Sequence, residues 1–332
     1  MHFIGIDVSK NTLDFAVLKG NEILLQTREE NGVQGIRRFI KQLKALSGFY
    51  LEQSVFCMEH TGIYNQYLLE FLCHLKAPVC LESSLQIQQS SGLQRGKNDK
   101  VDALRIAQYA YKNKEELRLW QPQREVVRKL KHLVALRSRL INVKNQLTVP
   151  LKELSAFSDK SQSKQTTSLC RSSIAALEKD LQKTEREIQQ LIKSDEHLNK
   201  LFCLITSVDG VGIVTASAIL VTTNEFKDIN EPARFACYAG VAPFEYSSGS
   251  SIKGKTRVST KANKAMKTLL HMSAISAIRS NADMKAYYER KLGENKNKMS
   301  VINAVRNKLV WRIFSCVRND RLYQDKYDIA GG

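Results

Sequence analysis

Phe3-Ile4-Gly5-Ile6-Asp7-Val8 is an apolar run with an acid near its end, and it reads as a buried strand presenting a carboxylate. Ser54-Val55-Phe56-Cys57-Met58 repeats the pattern and is followed by Glu59. Asp99 and Asp102 stand three apart at the start of a helical pattern, so both leave the same helix face. Acids on apolar strands are costly unless something pairs with them. A divalent cation is the usual partner, and Mg²⁺ prefers carboxylate oxygens together with substrate phosphates. Two such ions can clamp both the attacking and the leaving oxygen of a phosphoryl transfer. Asp7, Glu59, Asp99 and Asp102 are therefore candidate ligands of one Mg²⁺ (or Mn²⁺) site. Each also has a structural reading: Asp99 can cap a helix, and Asp7 can be a strand-end acid facing solvent.

Working outward from the first run, residues 3–8, 12–18 and 22–28 read as strands. Lys19-Gly20-Asn21 turns the second into the third, giving an antiparallel meander. A helix near 34–46, a strand near 54–59, a helix near 64–75 and a strand near 78–82 follow. The stretch 90–98 is polar and reads as a loop. A helix then spans about 99–112, with Ala103, Leu104, Ile106, Ala107 and Ala110 on its apolar side. Periodicity alone gives an α/β domain. The order of elements and the carboxylate positions select an RNase H-like domain over residues 1–122.

Val126, Leu133, Leu140, Leu147 and Leu154 recur at every seventh position, and Ile174, Leu181 and Ile188 repeat the spacing. This predicts a coiled coil or helical hairpin over 123–198. Pro150 should kink or end its first helix, and the Ser-, Thr-, Lys- and Gln-rich stretch 155–168 reads as the hairpin loop. A heptad seam of this kind calls for a partner helix, hence self-association. The alternative is a two-helix insertion packed on its own domain.

The remainder, 199–325, reads as mainly helical. Val208-Asp209-Gly210-Val211-Gly212 resembles a helix-hairpin-helix turn whose amides hold a phosphate, although close helix packing also requires glycine. Tyr246-Ser247-Ser248-Gly249 precedes Lys253, Lys255, Arg257, Lys261, Lys264 and Lys267. Such cations would hold a nucleic-acid backbone near the serine hydroxyls, where the bland alternative is a solvated basic face. Leu309-Val310-Trp311-Arg312-Ile313-Phe314 reads as a core helix face rather than a base-stacking platform.

The 332 residues carry 51 basic and 33 acidic side chains, a formal charge of +18 that favours a polyanionic partner. The hydrophobic fraction of 43% suits a folded chain and excludes wholesale disorder. Seven cysteines without a Cys-x-x-Cys read as reduced core thiols, and six scattered histidines argue against zinc. No signal peptide or membrane-spanning stretch is legible, so a cytoplasmic, nucleoid-associated protein is expected.

Ile4 to Lys10, Met58-Glu59-His60-Thr61-Gly62 and Lys97-Asn98-Asp99-Lys100-Val101-Asp102-Ala103 resemble the three acidic motifs of the insertion-sequence 110 transposases, whose relatives include the pilin-gene DNA invertase. Val208 to Gly212, Tyr238-Ala239-Gly240-Val241-Ala242-Pro243, Ser247-Ser248-Gly249 and Ser259-Thr260-Lys261-Ala262-Asn263-Lys264 resemble their second domain, in the same order. The resemblance implies an RuvC-like domain, a coiled coil and a C-terminal transposase domain. It implies Mg²⁺ held by Asp7, Glu59, Asp99 and Asp102, and a serine that forms a covalent phosphoserine link to DNA. Ser248, directly before Gly249, is the first choice for that serine and Ser247 the second. It further implies double-stranded element-end and target DNA, a guide RNA encoded by the element, and a homo-oligomer with active sites assembled from two subunits. Ala262 departs from the family, which usually has glycine there.

Three rivals predict different behaviour. A Holliday-junction-resolvase-like nuclease would cleave with water and leave no adduct. An actin-like small-molecule kinase would need phosphate-binding glycine loops and would turn over ATP. A non-catalytic nucleic-acid-binding protein would tolerate loss of Asp7 and Glu59.

Overall fold

The computed structural model describes residues 1–91, 99–157, 159–244, 247–248, 252–253, 257–258 and 262–324, and it divides into two compact units, Met1–Pro122 and Gln123–Gly332.

In the first unit the chain runs β1 (His2–Val8), β2 (Thr12–Lys19), β3 (Glu22–Glu30), α1 (Val33–Lys44), β4 (Ser54–Glu59), α2 (Gln66–His74), β5 (Val79–Glu82), α3 (Ser84–Ser91) and α4 (Asp99–Lys112). The sheet order is β3-β2-β1-β4-β5; the first three strands are antiparallel, and β4 and β5 run parallel to β1. The meander and the alternating helices and strands follow the order expected from the sequence. Helix α3 is an addition, because Ser-Leu-Gln-Ile-Gln-Gln-Ser-Ser carries only a weak apolar periodicity.

Strand alternation sorts the core into two layers. Ile4, Ile6, Val8, Phe15, Phe56 and Met58 pack with Ile36, Phe39, Leu68 and Leu72 of α1 and α2. Phe3, Ala16, Val55, Cys57 and Cys80 pack on the other face with Ala103, Ile106, Ala107 and Ala110 of α4. The alanine-rich side of α4 lets its backbone come close to the sheet.

The second unit opens with α5 (Glu125–Phe157) and α6 (Lys160–Ser194), which pack on each other. Helix α5 does not end at Pro150 but continues through it; that residue is exposed, so water can take up the carbonyl the proline leaves without a donor. The expected hairpin loop over 155–168 is also not borne out: α5 runs to Phe157 and α6 begins at Lys160, so most of this polar stretch is solvated helix. Val126, Leu133, Leu140, Leu147 and Leu154 are all half-buried, whereas Leu130, Ile188 and Ile192 enter the core of the C-terminal helices.

That core is built by α7 (Glu196–Thr206), α8 (Ile213–Thr223), α9 (Pro232–Tyr238), α10 (Lys264–Ser280), α11 (Ala282–Gly293) and α12 (Lys298–Arg318). Between α9 and α10 lie β6 (Pro243–Phe244), β7 (Ser247–Ser248), β8 (Ile252–Lys253) and β9 (Arg257–Val258). As expected, Leu309, Val310, Ile313 and Phe314 are buried, although Trp311 is exposed. All seven cysteines are free thiols, but only Cys57, Cys80 and Cys316 are buried, so the reading of them as core residues fits three. Among the described residues no helix is long and apolar enough to cross a membrane.

Candidate active site

Strand register lines up acids across the sheet. Asp7 stands opposite Asp14, and Asp14 opposite Arg28. On the parallel side Ile6 is level with Met58, which brings Asp7 and Glu59 to the next step of adjacent strands, and Glu59 is level with Glu82. Asp7 shares its side of the sheet with Phe3, Glu59 with Cys57, and Glu82 with Cys80, so this row lies on the α4 side. Two parallel strands thus end in neighbouring carboxylates, and the next strand adds a third acid that the sequence reading did not select. Asp14 was also missed, although an acid at an inward position of Leu13-Asp14-Phe15-Ala16-Val17 is itself a signal.

Helix α4 approaches from the opposite direction. The Phe3 ring meets that of Tyr111, with centroids 5.4 Å apart. Two residues further along β1, a Cβ on Gly5 would lie 2.1 Å from the Ala103 carbonyl oxygen and 2.3 Å from the Ala107 nitrogen. The helix therefore runs antiparallel to β1, and its first turn, with Asp99 and Asp102, points toward the Asp7 end of the strand. Gly5 permits this approach because it has no side chain.

The carboxylates are engaged. Glu59 Oε2 accepts a hydrogen bond from the Ser84 hydroxyl at 2.6 Å. Asp102 Oδ1 accepts from Arg105 Nη1 at 2.7 Å. Asp14 accepts from Arg28 Nε through both oxygens, at 2.9 and 3.1 Å. Asn65, buried, donates to the Glu59 carbonyl at 2.8 Å and accepts from the Thr61 amide at 2.9 Å, which fixes the turn after β4. Cys57, on the same face, has its thiol pushed well above the ordinary range by its hydrogen bond with Cys80 and by burial. Among the described residues no three His, Cys, Asp or Glu side chains already converge closely enough to hold a metal ion. The Asp99 side chain lies outside the described residues, and only its place in α4 is given. The donor set is carboxylate oxygen alone, which fits Mg²⁺ or Mn²⁺ and not a thiophilic metal.

In the second unit, β7 pairs with β8, so that Ser247 is level with Lys253 and Ser248 with Ile252. Phe244 of β6 is level with Arg257 of β9. For Ser247, Ser248, Lys253 and Arg257 the backbone alone is described; Tyr246, Lys255 and Lys261 lie outside the described residues. Both roots of this segment are tied down. Asn303 donates to the Val241 carbonyl at 2.9 Å, and the Asn263 amide donates to the Tyr238 carbonyl at 2.8 Å. Lys264 is exposed and Lys267 half-buried in the first turn of α10. Gly210 has φ +82°, and a Cβ there would lie 2.4 Å from the Ser273 carbonyl oxygen, so packing against α10 accounts for it. Gly212 opens α8, and a Cβ there would meet open space.

Residues 203–289 match the model of the transposase IS116/IS110/IS902 family, and residues 4–155 match a second transposase model, of the IS110 DEDD type. The chain belongs to the IS110 family of transposases. It is 28% identical over 331 residues to the pilin gene-inverting protein of Moraxella lacunata, covering 98% of each chain. Its identity to the protein of the same name from Moraxella bovis is 27% over 329 residues, again covering 98% of each. The insertion element IS110 uncharacterized 43.6 kDa protein of Streptomyces coelicolor is 26% identical over 155 residues, 47% of this chain and 37% of that protein. Among solved structures, Thermus thermophilus RuvC in complex with a Holliday junction substrate aligns at 16% identity and a TM-score of 0.28, covering 36% of this chain and 99% of RuvC.

Proposed function

We propose that this family transposase cuts and rejoins DNA by serine attack assisted by Mg²⁺ or Mn²⁺, under the direction of an RNA encoded by its own element. The N-terminal unit is read as an RNase H-like domain whose Asp7, Glu59, Asp99 and Asp102 hold the cation. Supporting this is the register that ends two adjacent parallel strands in Asp7 and Glu59, with the first turn of α4 directed toward the same end of β1. When bound, the cation would supply Lewis-acid stabilisation of charge developing on the phosphate oxygens.

The carboxylates keep that charge in place and orient the phosphodiester. Ser248, or Ser247 beside it, gives up its hydroxyl proton as its Oγ–P bond forms. The P–O bond to the departing strand breaks, and the departing oxygen gains a proton. A serine hydroxyl is a weak nucleophile at its free pKa and needs such activation. The phosphoserine link conserves the phosphodiester bond, so rejoining needs no nucleotide triphosphate. Lys253, Lys255, Arg257, Lys261, Lys264 and Lys267 neutralise the nucleic-acid backbone. The half-buried Leu140, Leu147 and Leu154 of α5 and Ile174 and Leu181 of α6 fit pairing with a second copy in a homo-oligomer.

The test uses the protein purified with the RNA it retains from a host carrying the whole element. Labelled element-end DNA and Mg²⁺ should give a protease-sensitive protein–DNA adduct in wild type. Asp7→Asn, Glu59→Gln and Ser248→Ala should lose it while retaining the fold by circular dichroism. Cleavage without any adduct replaces this reading with a resolvase-like nuclease. An adduct persisting in Ser248→Ala but not in Ser247→Ala moves the nucleophile to Ser247.

A further inference from the structure

The two turns that follow Asp7 and Glu59 enclose a cleft of about 290 Å³, lined by Lys10, Asn31, Ile63, Tyr64, Gln66 and Tyr67. Lys10 comes three residues after Asp7, and Ile63 four after Glu59. The cleft is therefore built from the same strand ends that carry the candidate metal ligands. Its frame is fixed. Asn31 Nδ2 donates to the Ser9 carbonyl at 2.8 Å and to the Tyr64 carbonyl at 3.0 Å, clamping one turn to the other. Asn65 ties the second turn to Glu59 itself.

The lining is unusual for a surface that only meets water. Ile63, Tyr64 and Tyr67 are 68%, 39% and 58% exposed, three large apolar side chains within five residues. Such a patch marks a binding surface more often than scattered exposed residues do. Lys10 adds a positive charge beside it. Asn31 Oδ1 is buried and has no hydrogen-bond donor among the described residues, an acceptor left open at the cleft wall. Aromatic faces, a cation and an open acceptor match the three parts of a nucleotide: a π-face, a phosphate and an N–H edge. In a stacked duplex the bases cannot reach such a wall, so the occupant is an unstacked one.

We propose that this cleft holds one unstacked DNA nucleotide, its base on Tyr64 and Tyr67 and its phosphate at Lys10, beside the phosphodiester that Asp7 and Glu59 address. The inference rests on the transposase chemistry proposed above and adds how the strand is drawn out of the duplex next to the reacting phosphate. Asn31 Oδ1 accepts from an exocyclic amine of that base.

The test titrates the full-length protein with fluorescein-labelled single-stranded DNA, with the same sequence as duplex, and with single-stranded RNA. Tyr67→Ala and the double variant Tyr64→Ala/Tyr67→Ala should bind single-stranded DNA about tenfold or more weakly, the usual scale of a lost base–aromatic stack. Tyr67→Phe should bind like wild type, and duplex affinity should change least. A 2-aminopurine in the single strand should be quenched by wild type and not by the double variant. Lys10→Gln should flatten the logarithmic salt dependence for single strands by about 0.7, one phosphate contact. Tyr67 is exposed, so folding is not at stake, and circular dichroism checks it. Equal single-strand affinity and quenching in wild type and double variant overturn the proposal while leaving the metal-and-serine reading intact. A loss confined to RNA also overturns it. No DNA binding by wild type overturns both.

Discussion

Asp7 and Asp14 face each other directly across β1 and β2, on the side of the sheet that α4 covers. Asp14 is only 2% exposed, and Arg28 on β3 binds both of its oxygens. Two cross-strand carboxylates repel each other, and the arginine neutralises the buried one beside the half-buried Asp7 and Glu59.

Removing that cation should therefore cost more than removing the pair. Arg28→Met leaves Asp14 buried and uncompensated, a loss of about 3 kcal/mol, at the low end for a broken buried pair because Arg28 is itself 45% exposed. The double variant Arg28→Met/Asp14→Asn should recover most of the loss. Urea denaturation of both variants checks this; equal stability of the two would show that Asp14 does not depend on Arg28.

Gly5→Ala should act on the site through the helix. The new methyl would meet backbone atoms of Ala103 and Ala107, which cannot rotate away as a side chain could. Helix α4 must move off β1, at a cost of about 3 kcal/mol, the upper end for overpacking. The melting temperature should fall by several degrees, and metal-dependent adduct formation should fall with it, since Asp99 and Asp102 travel with the helix. A variant that melts like wild type would mean that the helix yields freely at this point.

Much of this arrangement was legible in the residues. Apolar runs ending in Asp7 and Glu59 announce buried strands, and Ala103, Ala107 and Ala110 mark the apolar side of a helix. Register was not legible, because it depends on pairings between segments far apart in sequence. Glu82 and Asp14 therefore looked like ordinary acids until the sheet set them beside Glu59 and Asp7. In the hairpin, local composition misled: Pro150 and the serine-rich stretch after it resemble helix breakers, yet solvent-exposed helix accommodates both. Gly210 shows the reverse, a glycine in a phosphate-binding pattern that the fold uses for helix packing.

Glu82 supplies a graded prediction. It is level with Glu59 on β5, and Cys80 Sγ lies 3.7 Å from its Oε1. If Glu59 holds the cation as proposed, an acid beside it tunes cation affinity without holding the cation alone, an effect of roughly tenfold or more. Glu82→Gln should raise the Mg²⁺ or Mn²⁺ concentration needed for half-maximal adduct formation about tenfold, whereas Glu59→Gln should abolish the adduct at any concentration. Calorimetric Mn²⁺ titration gives the same comparison without turnover. Wild-type metal dependence in Glu82→Gln would make it a purely structural acid.

Acid should loosen the second unit through Arg124. Its guanidinium bonds Asp195 at 2.8 Å through Nη1 and again at 2.8 Å through Nη2, and reaches the fully buried carboxylate of Glu225 through Nε at 3.0 and 3.2 Å. It thereby joins the start of α5 to the α6–α7 junction and the end of α8. Asp195 is held below the ordinary range first by the Arg124 hydrogen bond. For Glu225 burial pushes upward, but the bonds from Arg124 and Lys227 prevail and hold it low. Depressed folded values mean that the unfolded chain binds protons first as pH falls. The stabilisation is therefore complete above the ordinary carboxylate value of about 4 and is lost as pH drops through the depressed folded values. Arg124→Met should cost about 2 kcal/mol at neutral pH, discounted because the arginine is partly exposed. Below pH of about 4 its stability should fall less steeply than that of wild type. Denaturant midpoints measured across that window decide the matter, and parallel curves for the two proteins would place the acid sensitivity elsewhere in the chain.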